Sequence, residues 1–188
     1  FNGMALADIA PSDRLSELDF EMSLANLSKG VLASDIGKLL KDSLETNDLL
    51  YAYADTLSDS SFDIPLAGLL NGSIDAVIRV HAEDGSPRLF ITDYKTNRLD
   101  SYEDVSLIEA YAPDRLVAAM EHHHYPLQAL LYGTAIYRML RWRQPSMNAD
   151  EVIAGIAYFF VRGMVGAESL KDADGMRYGV FQWKAPVG

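Results

Sequence analysis

Apolar and polar residues alternate strictly from Leu18 to Leu24, which puts Leu18, Phe20, Met22 and Leu24 on one face of a half-buried strand. Ser34 reads as the N-cap of a short helix in which Ile36, Leu39, Leu40 and Leu44 fall at amphipathic spacing, and Leu49, Leu50, Tyr53 and Leu57 mark another. Ser58 to Pro65 reads as a loop. Alternation then returns, with Leu70, Gly72, Ile74, Ala76, Ile78 and Val80 on one face and Ser73, Asp75, Val77 and Arg79 on the other. Glu83-Asp84-Gly85-Ser86-Pro87 carries hairpin-turn signals, so Arg88 to Lys95 is the returning antiparallel strand. Past a polar loop, Pro113–His122 and Pro126–Arg143 read as helices, each beginning at a proline that a first helical turn tolerates. Val152–Val161 and Tyr178–Trp183 read as strands. This order predicts an α/β layer fold with a mixed sheet, in one domain over residues 1–188.

A chain of 188 residues buries roughly 70% of its unfolded surface, enough for a real core. Its 49% hydrophobic and 23% charged residues exclude disorder for most of the length. With no cysteine there is no disulfide, thiolate nucleophile or thiolate metal site, which fits a cytoplasmic setting. Apolar runs such as Ile153–Val161 fall far short of the roughly 20 residues that span a bilayer. The net charge of -11 argues against strong autonomous binding to a polyanion, because that affinity comes from Lys and Arg displacing counterions. No GxxxxGK[ST] loop occurs, so an ATP site of that type is absent. The first residue is Phe1 rather than Met, and the expectation is a piece of a longer polypeptide.

The hairpin concentrates the chemistry. A turn centred on Gly85 would oppose Asp75 with Lys95 and Val77 with Asp93, and the period of two puts Asp93 on the face of Lys95. An even slip in register keeps these three on one face and an odd slip destroys the patch. Charges among Ile, Val and Leu are costly unless paired or bound to a metal. Two carboxylates suit Mg²⁺, whose other positions go to water and phosphate oxygens. A neighbouring Lys can assist an attacking water or neutralise charge gathering at phosphorus. Spacing alone leaves a plainer reading open, an Asp75–Lys95 cross-strand ion pair with Asp93 facing water. Gln128 and Tyr132, four apart, share a helix face. Arg138, Arg141 and Arg143 close that helix, where cations favour the carbonyl end of the dipole. Tyr158 to Phe160 reads as core. His122-His123-His124 reads as a polar helix end, because adjacent helical residues point about 100° apart and cannot converge on one ion.

The runs Gly72-Ser73-Ile74-Asp75, Ile91-Thr92-Asp93-Tyr94-Lys95-Thr96-Asn97, Tyr125-Pro126-Leu127-Gln128 and Leu130-Leu131-Tyr132 resemble, in type and order, the motifs of the RecB-type nucleases of the PD-(D/E)xK superfamily. Glu17-Leu18-Asp19-Phe20 and Tyr158-Phe159-Phe160-Val161-Arg162-Gly163 extend the resemblance over most of the chain. It implies a restriction-endonuclease-like mixed β-sheet flanked by helices. Asp75 and Asp93 would hold Mg²⁺, or Mn²⁺ in its place, with the Tyr94 backbone carbonyl as a further ligand. Lys95 would be the catalytic lysine, Gln128 and Tyr132 would position the DNA strand, and Glu17 would cap or pair with the site.

The resemblance further implies a Mg²⁺-dependent DNA exonuclease domain at the C-terminal end of a helicase-nuclease that acts in double-strand break repair and recombination. Its substrates would be double-strand ends and unwound single strands, its partners RecC-like and RecD-like subunits, and ATP would serve only the helicase part. A motor threading DNA into the site would supply local concentration, which reconciles the acidic charge with a DNA substrate. Such nucleases carry one more metal-binding His on a helix upstream of the strand near Glu17, and none of His81, His122, His123 or His124 stands there. The expectation is a piece that starts after that helix and binds metal weakly. A competing reading is a nuclease fold without catalysis that docks partners or guides DNA; the joint presence of Asp75, Asp93 and Lys95 speaks against it.

Overall fold

A computed structural model describes residues 5–25, 30–59, 65–99 and 107–186. The loop read over Ser58–Pro65 lies largely outside them, as does part of the polar loop after Lys95. The strands are β1 (Arg14–Ala25), β2 (Val31–Leu32), β3 (Pro65–Leu66), β4 (Gly68–His81), β5 (Pro87–Lys95), β6 (Ile153–Phe160) and β7 (Val180–Trp183). The helices are α1 (Ala33–Ser43), α2 (Tyr51–Ser58), α3 (Pro113–His122), α4 (Tyr125–Arg143) and the short α5 (Ala149–Val152). The chain divides into two compact units, one built from residues up to Leu18 and from Ile74 to Ala185, the other mainly from Asp19 to Ser73. Among the described residues no helix is long and apolar enough to cross a membrane.

Five strands form one mixed sheet in the order β1-β4-β5-β6-β7, with β4–β5 and β6–β7 antiparallel and β5–β6 parallel. The alternation read from sequence is the alternation of burial: Ile74, Ala76 and Ile78 are buried on one face of β4, and Arg79 on the other is exposed and paired with Asp13. Strand β6, parallel to β5 on one side and antiparallel to β7 on the other, is buried along almost its whole length. That is why its sequence is a continuous apolar run rather than an alternating one. It begins at Ile153, because Val152 closes α5 instead, and β7 begins at Val180 rather than Tyr178. Helices α3 and α4 bury Leu116, Met120, Ala129, Ile136 and Leu140, and with the sheet they make an α/β fold of the restriction-endonuclease-like kind.

The hairpin register corrects one expectation. The turn is a three-residue loop, Glu83-Asp84-Gly85, closed by the Ala82 N–H donating to the Ser86 carbonyl at 2.9 Å, with Gly85 at φ +79°. A three-residue hairpin needs a left-handed residue at its end, which glycine adopts without strain. The turn therefore centres on Asp84, and every opposed pair moves by two: Val77 faces Ile91, not Asp93, and the ladder ends at Ala76 opposite Thr92. Asp75 is not opposite Lys95. Because the shift is even, Asp75, Asp93 and Lys95 still share a face.

In the other unit, α1 and α2 pack through Leu40, Leu50, Tyr53, Ala54 and Leu57, and β2 pairs with β3. Helix α1 starts one residue before the expected cap: Leu32 is the N-cap residue and the Asp35 carboxylate accepts its N–H. Its buried residues are Ala33, Ser34, Gly37 and Leu40, whereas Leu39 is exposed. Leu39 was read onto the apolar face because Gly37 carries no hydrophobic signal, yet Gly37 is where α2 comes closest. In the same unit Gly72 makes room for the Phe20 ring, which a Cβ there would meet at 2.7 Å. Alanine in place of a helical glycine ordinarily stabilises by about 1 kcal/mol. At Gly37 the new Cβ would lie 2.6 Å from the Ser58 backbone nitrogen, so the helices must part, at a cost of about 1–3 kcal/mol. Gly37→Ala is therefore expected to lower the urea midpoint with an unchanged m-value.

Candidate active site

The site forms where β4 and β5 stop pairing. Thr92, fully buried, donates its hydroxyl to the Ala76 carbonyl at 3.0 Å and fixes the last rung of the ladder. One residue further, the Asp75 side chain takes over from the backbone and accepts the Tyr94 N–H at 2.7 Å. This anchors Asp75 beside the Asp-Tyr-Lys run while leaving it half-buried. Asp93 is 3% exposed, and its Oδ2 lies 2.7 Å from the Lys95 ammonium without a hydrogen bond of good geometry. Burial holds the Asp93 carboxyl above the usual carboxylate range; the Lys95 ammonium opposes that rise and the Asp75 carboxylate adds to it.

Helix α4 supplies the next layer. Lys95 Nζ donates to Gln128 Oε1 at 3.0 Å, and Gln128 Nε2 donates to the Tyr132 hydroxyl at 2.9 Å, so the two residues read as sharing a helix face are bonded to each other. The Tyr158 hydroxyl also meets Gln128 Oε1, at 3.1 Å, and the Tyr125 carbonyl, at 3.1 Å. The Lys95 ammonium rests 4.0 Å from the Tyr125 ring centroid and 5.2 Å from that of Tyr158, within cation–π reach. Burial first, and then the Asp93 charge, push the Tyr125, Tyr132 and Tyr158 hydroxyls above the usual tyrosine range, which keeps them neutral donors at neutral pH.

Asp75, Asp93, Tyr94, Lys95, Gln128 and Tyr132 thus form one connected group. The reading of Tyr158 as core is half of its role: the ring is buried and the hydroxyl belongs to the site. Nothing in a Tyr-Phe-Phe run marks which ring carries a functional hydroxyl. Tyr125 stood inside a motif without a role, and its ring carries the lysine. The histidines stand at a polar helix end, as read, but not because of helical divergence. His122 is the last residue of α3 and His123 lies beyond it, so their side chains do not diverge at helical spacing; their rings meet at 4.9 Å and His123 stacks on Tyr125 at 5.2 Å. Arg141 and Arg143 are exposed and lie over Tyr137 and Trp142. Glu17 is exposed on β1 with φ +51°, and among the described residues no hydrogen bond or ion pair ties it to this group.

The donor set discriminates between cations. Among the described residues no cluster of three or more His, Cys, Asp or Glu could hold a metal, which is unlike the three- and four-ligand cages of zinc. Two carboxylates, one with a buried oxygen whose close partner is an ammonium, fit Mg²⁺, which keeps several waters.

An acidic pair beside a lysine, on adjacent strands of a mixed sheet and backed by a glutamine-tyrosine helix, defines a domain of the restriction-endonuclease-like α/β class. No protein-family model matches the chain. Curated relatives do: the chain is 42% identical to the RecBCD enzyme subunit RecB of Mycolicibacterium smegmatis and 43% identical to that of Mycobacterium tuberculosis, each over 98% of its length. It is 31% identical to the RecB subunit of Escherichia coli over 86% of its length. It spans 17%, 16% and 12% of those relatives respectively. The chain matches a domain of the RecB family.

The ionic core makes a measurable prediction. By carbon-13 NMR the Asp93 carboxyl is expected to titrate above the roughly 3.9 of a free aspartate, and Lys95→Met is expected to raise it further by removing the opposing charge. Because the folded-state value is raised, the charged carboxylate costs stability at neutral pH, and that cost is relieved as the pH falls through the folded value.

Proposed function

We propose that this domain is the Mg²⁺-dependent DNA exonuclease part of a RecB-like helicase-nuclease subunit that acts in double-strand break repair and recombination. The observation that carries the reading is the buried Asp93 carboxylate, brought beside Asp75 and paired with Lys95 at 2.7 Å. Asp75, Asp93 and the Tyr94 carbonyl would hold the ion. Mg²⁺ bound there would supply Lewis-acid polarisation of a phosphoryl oxygen.

The protein's own groups do the rest. Lys95 presents a positive charge to oxygens that become more negative during phosphodiester cleavage. Gln128 sets where that charge sits, since its Oε1 accepts from Lys95 while its Nε2 is committed to Tyr132. Tyr132, held neutral, would offer a hydroxyl rather than a phenolate to an anionic substrate, while the buried Tyr158 commits its hydroxyl to Gln128 and the Tyr125 carbonyl. With a net charge of -11 the domain depends on delivery of the strand, and a helicase motor with RecC-like and RecD-like partner subunits provides it, ATP serving the motor alone.

In the full-length polypeptide assayed with Mg²⁺ and linear DNA, Asp93→Asn and Lys95→Ala are each expected to lower cleavage by about 10²-fold or more. Undiminished cutting by both variants would overturn the assignment.

A further inference from the structure

We propose that His122 and His123, backed by the Tyr125 ring, form a stacking ledge for an unpaired nucleobase next to the active site. The inference rests on the nucleic-acid reading above and adds a part of the substrate that the reading leaves unheld. Four rings run in series: His122 meets His123 edge-on at 4.9 Å, His123 stacks on Tyr125 at 5.2 Å with 25° between planes, and Tyr125 stacks on Tyr158 at 5.7 Å and 20°. The series begins at the surface, where both histidines are exposed, and ends at the fully buried Tyr158. Lys95 lies over Tyr125, so His123 is one ring contact, and His122 two, from the ring that carries the lysine.

The backbone builds this ledge. The His123 N–H donates to the Ala119 carbonyl at 3.3 Å, ending α3, and the His124 carbonyl accepts the Leu127 N–H at 3.2 Å, opening α4. His124 between them adopts φ +53°, a left-handed conformation uncommon outside glycine and a form of strain that concentrates at functional positions. The sharp corner leaves the two imidazoles exposed, while Tyr125 and Pro126 form the first positions of the helix that presents Gln128 and Tyr132.

The chemistry favours a base over a phosphate or a metal. Aromatic faces bind any base without needing positive charge, which suits a chain of net charge -11. Among the described residues the histidines join no cluster able to hold a metal. Burial, with the charges of His122, Lys95 and His124, holds His123 below the usual histidine range, so its face at neutral pH is that of a neutral imidazole. A base already stacked inside a duplex has no free face to offer, so the ledge takes bases from single strands.

The test is binding without cleavage. A labelled short oligothymidylate, and an abasic strand of equal length, are titrated with the full chain in EDTA and followed by fluorescence anisotropy. His123→Ala is expected to weaken binding of the oligothymidylate by roughly 5- to 150-fold, with His123→Trp restoring it and the abasic strand not distinguishing the proteins. Unchanged affinity in His123→Ala, or an equal loss on the abasic strand, would overturn the ledge. No divalent ion is present, so the outcome is separate from the cleavage assay: a chain that stacks bases but does not cut loses only the nuclease assignment, and one that cuts but does not stack loses only the ledge.

Discussion

Burying the Asp93 carboxylate is the constraint around which this domain is arranged. An ion withdrawn from water costs several kcal/mol even after relaxation, and a single opposite charge recovers that only with good geometry and satisfied neighbours. The structure meets the condition in layers. Lys95 sits against Asp93, Gln128 accepts from Lys95, and two tyrosine rings cover the ammonium. Gln128 is in turn held by Tyr132 and Tyr158. On the proposed reading, a charge balanced this closely would be available to an incoming cation or phosphate, because new partners would replace old ones instead of entering an apolar void.

The mixed sheet makes such a site possible. Lys95 is the last residue of β5 and pairs in parallel register with Phe160, the last residue of β6. In open α/β sheets the carboxyl ends of parallel strands are where ligands gather, since helices pack on the faces and leave those ends accessible. Antiparallel β4 delivers Asp75 to the same place from the opposite direction. Its ladder with β5 ends at Ala76 and Thr92, and beyond that rung the Asp75 carboxylate, not a carbonyl, receives the strand's N–H. Helix α4 then brings Gln128 and Tyr132 in together because residues four apart share a face.

On the proposed reading, charge and aromatic content would divide the labour of binding. The net charge of -11 argues against a broad electrostatic hold on a polyanion, and on the proposed reading Lys95 would supply positive charge at the reacting phosphate. The ring series from His122 to Tyr158 has no such penalty, and it joins the surface to the lysine. Domain-sized likeness to RecB subunits is consistent with the proposed module, which would receive its strand from other parts of a larger protein.

Much of this was legible residue by residue. Alternation along β4 and β5 placed Asp75, Asp93 and Lys95 on one face because strand periodicity is exact parity, which survives an even error in register. The spacing of Gln128 and Tyr132 was readable for the same local reason. Tertiary structure alone decided the rest. The true pairing depended on whether the turn centred on Gly85 or Asp84, the close approach at Gly37 on a helix distant in sequence, and the contacts of Tyr125 and Tyr158 on which rings the fold placed around one ammonium. Local periodicity fixes the face on which a side chain lies; only the packing of separate elements determines what that face meets.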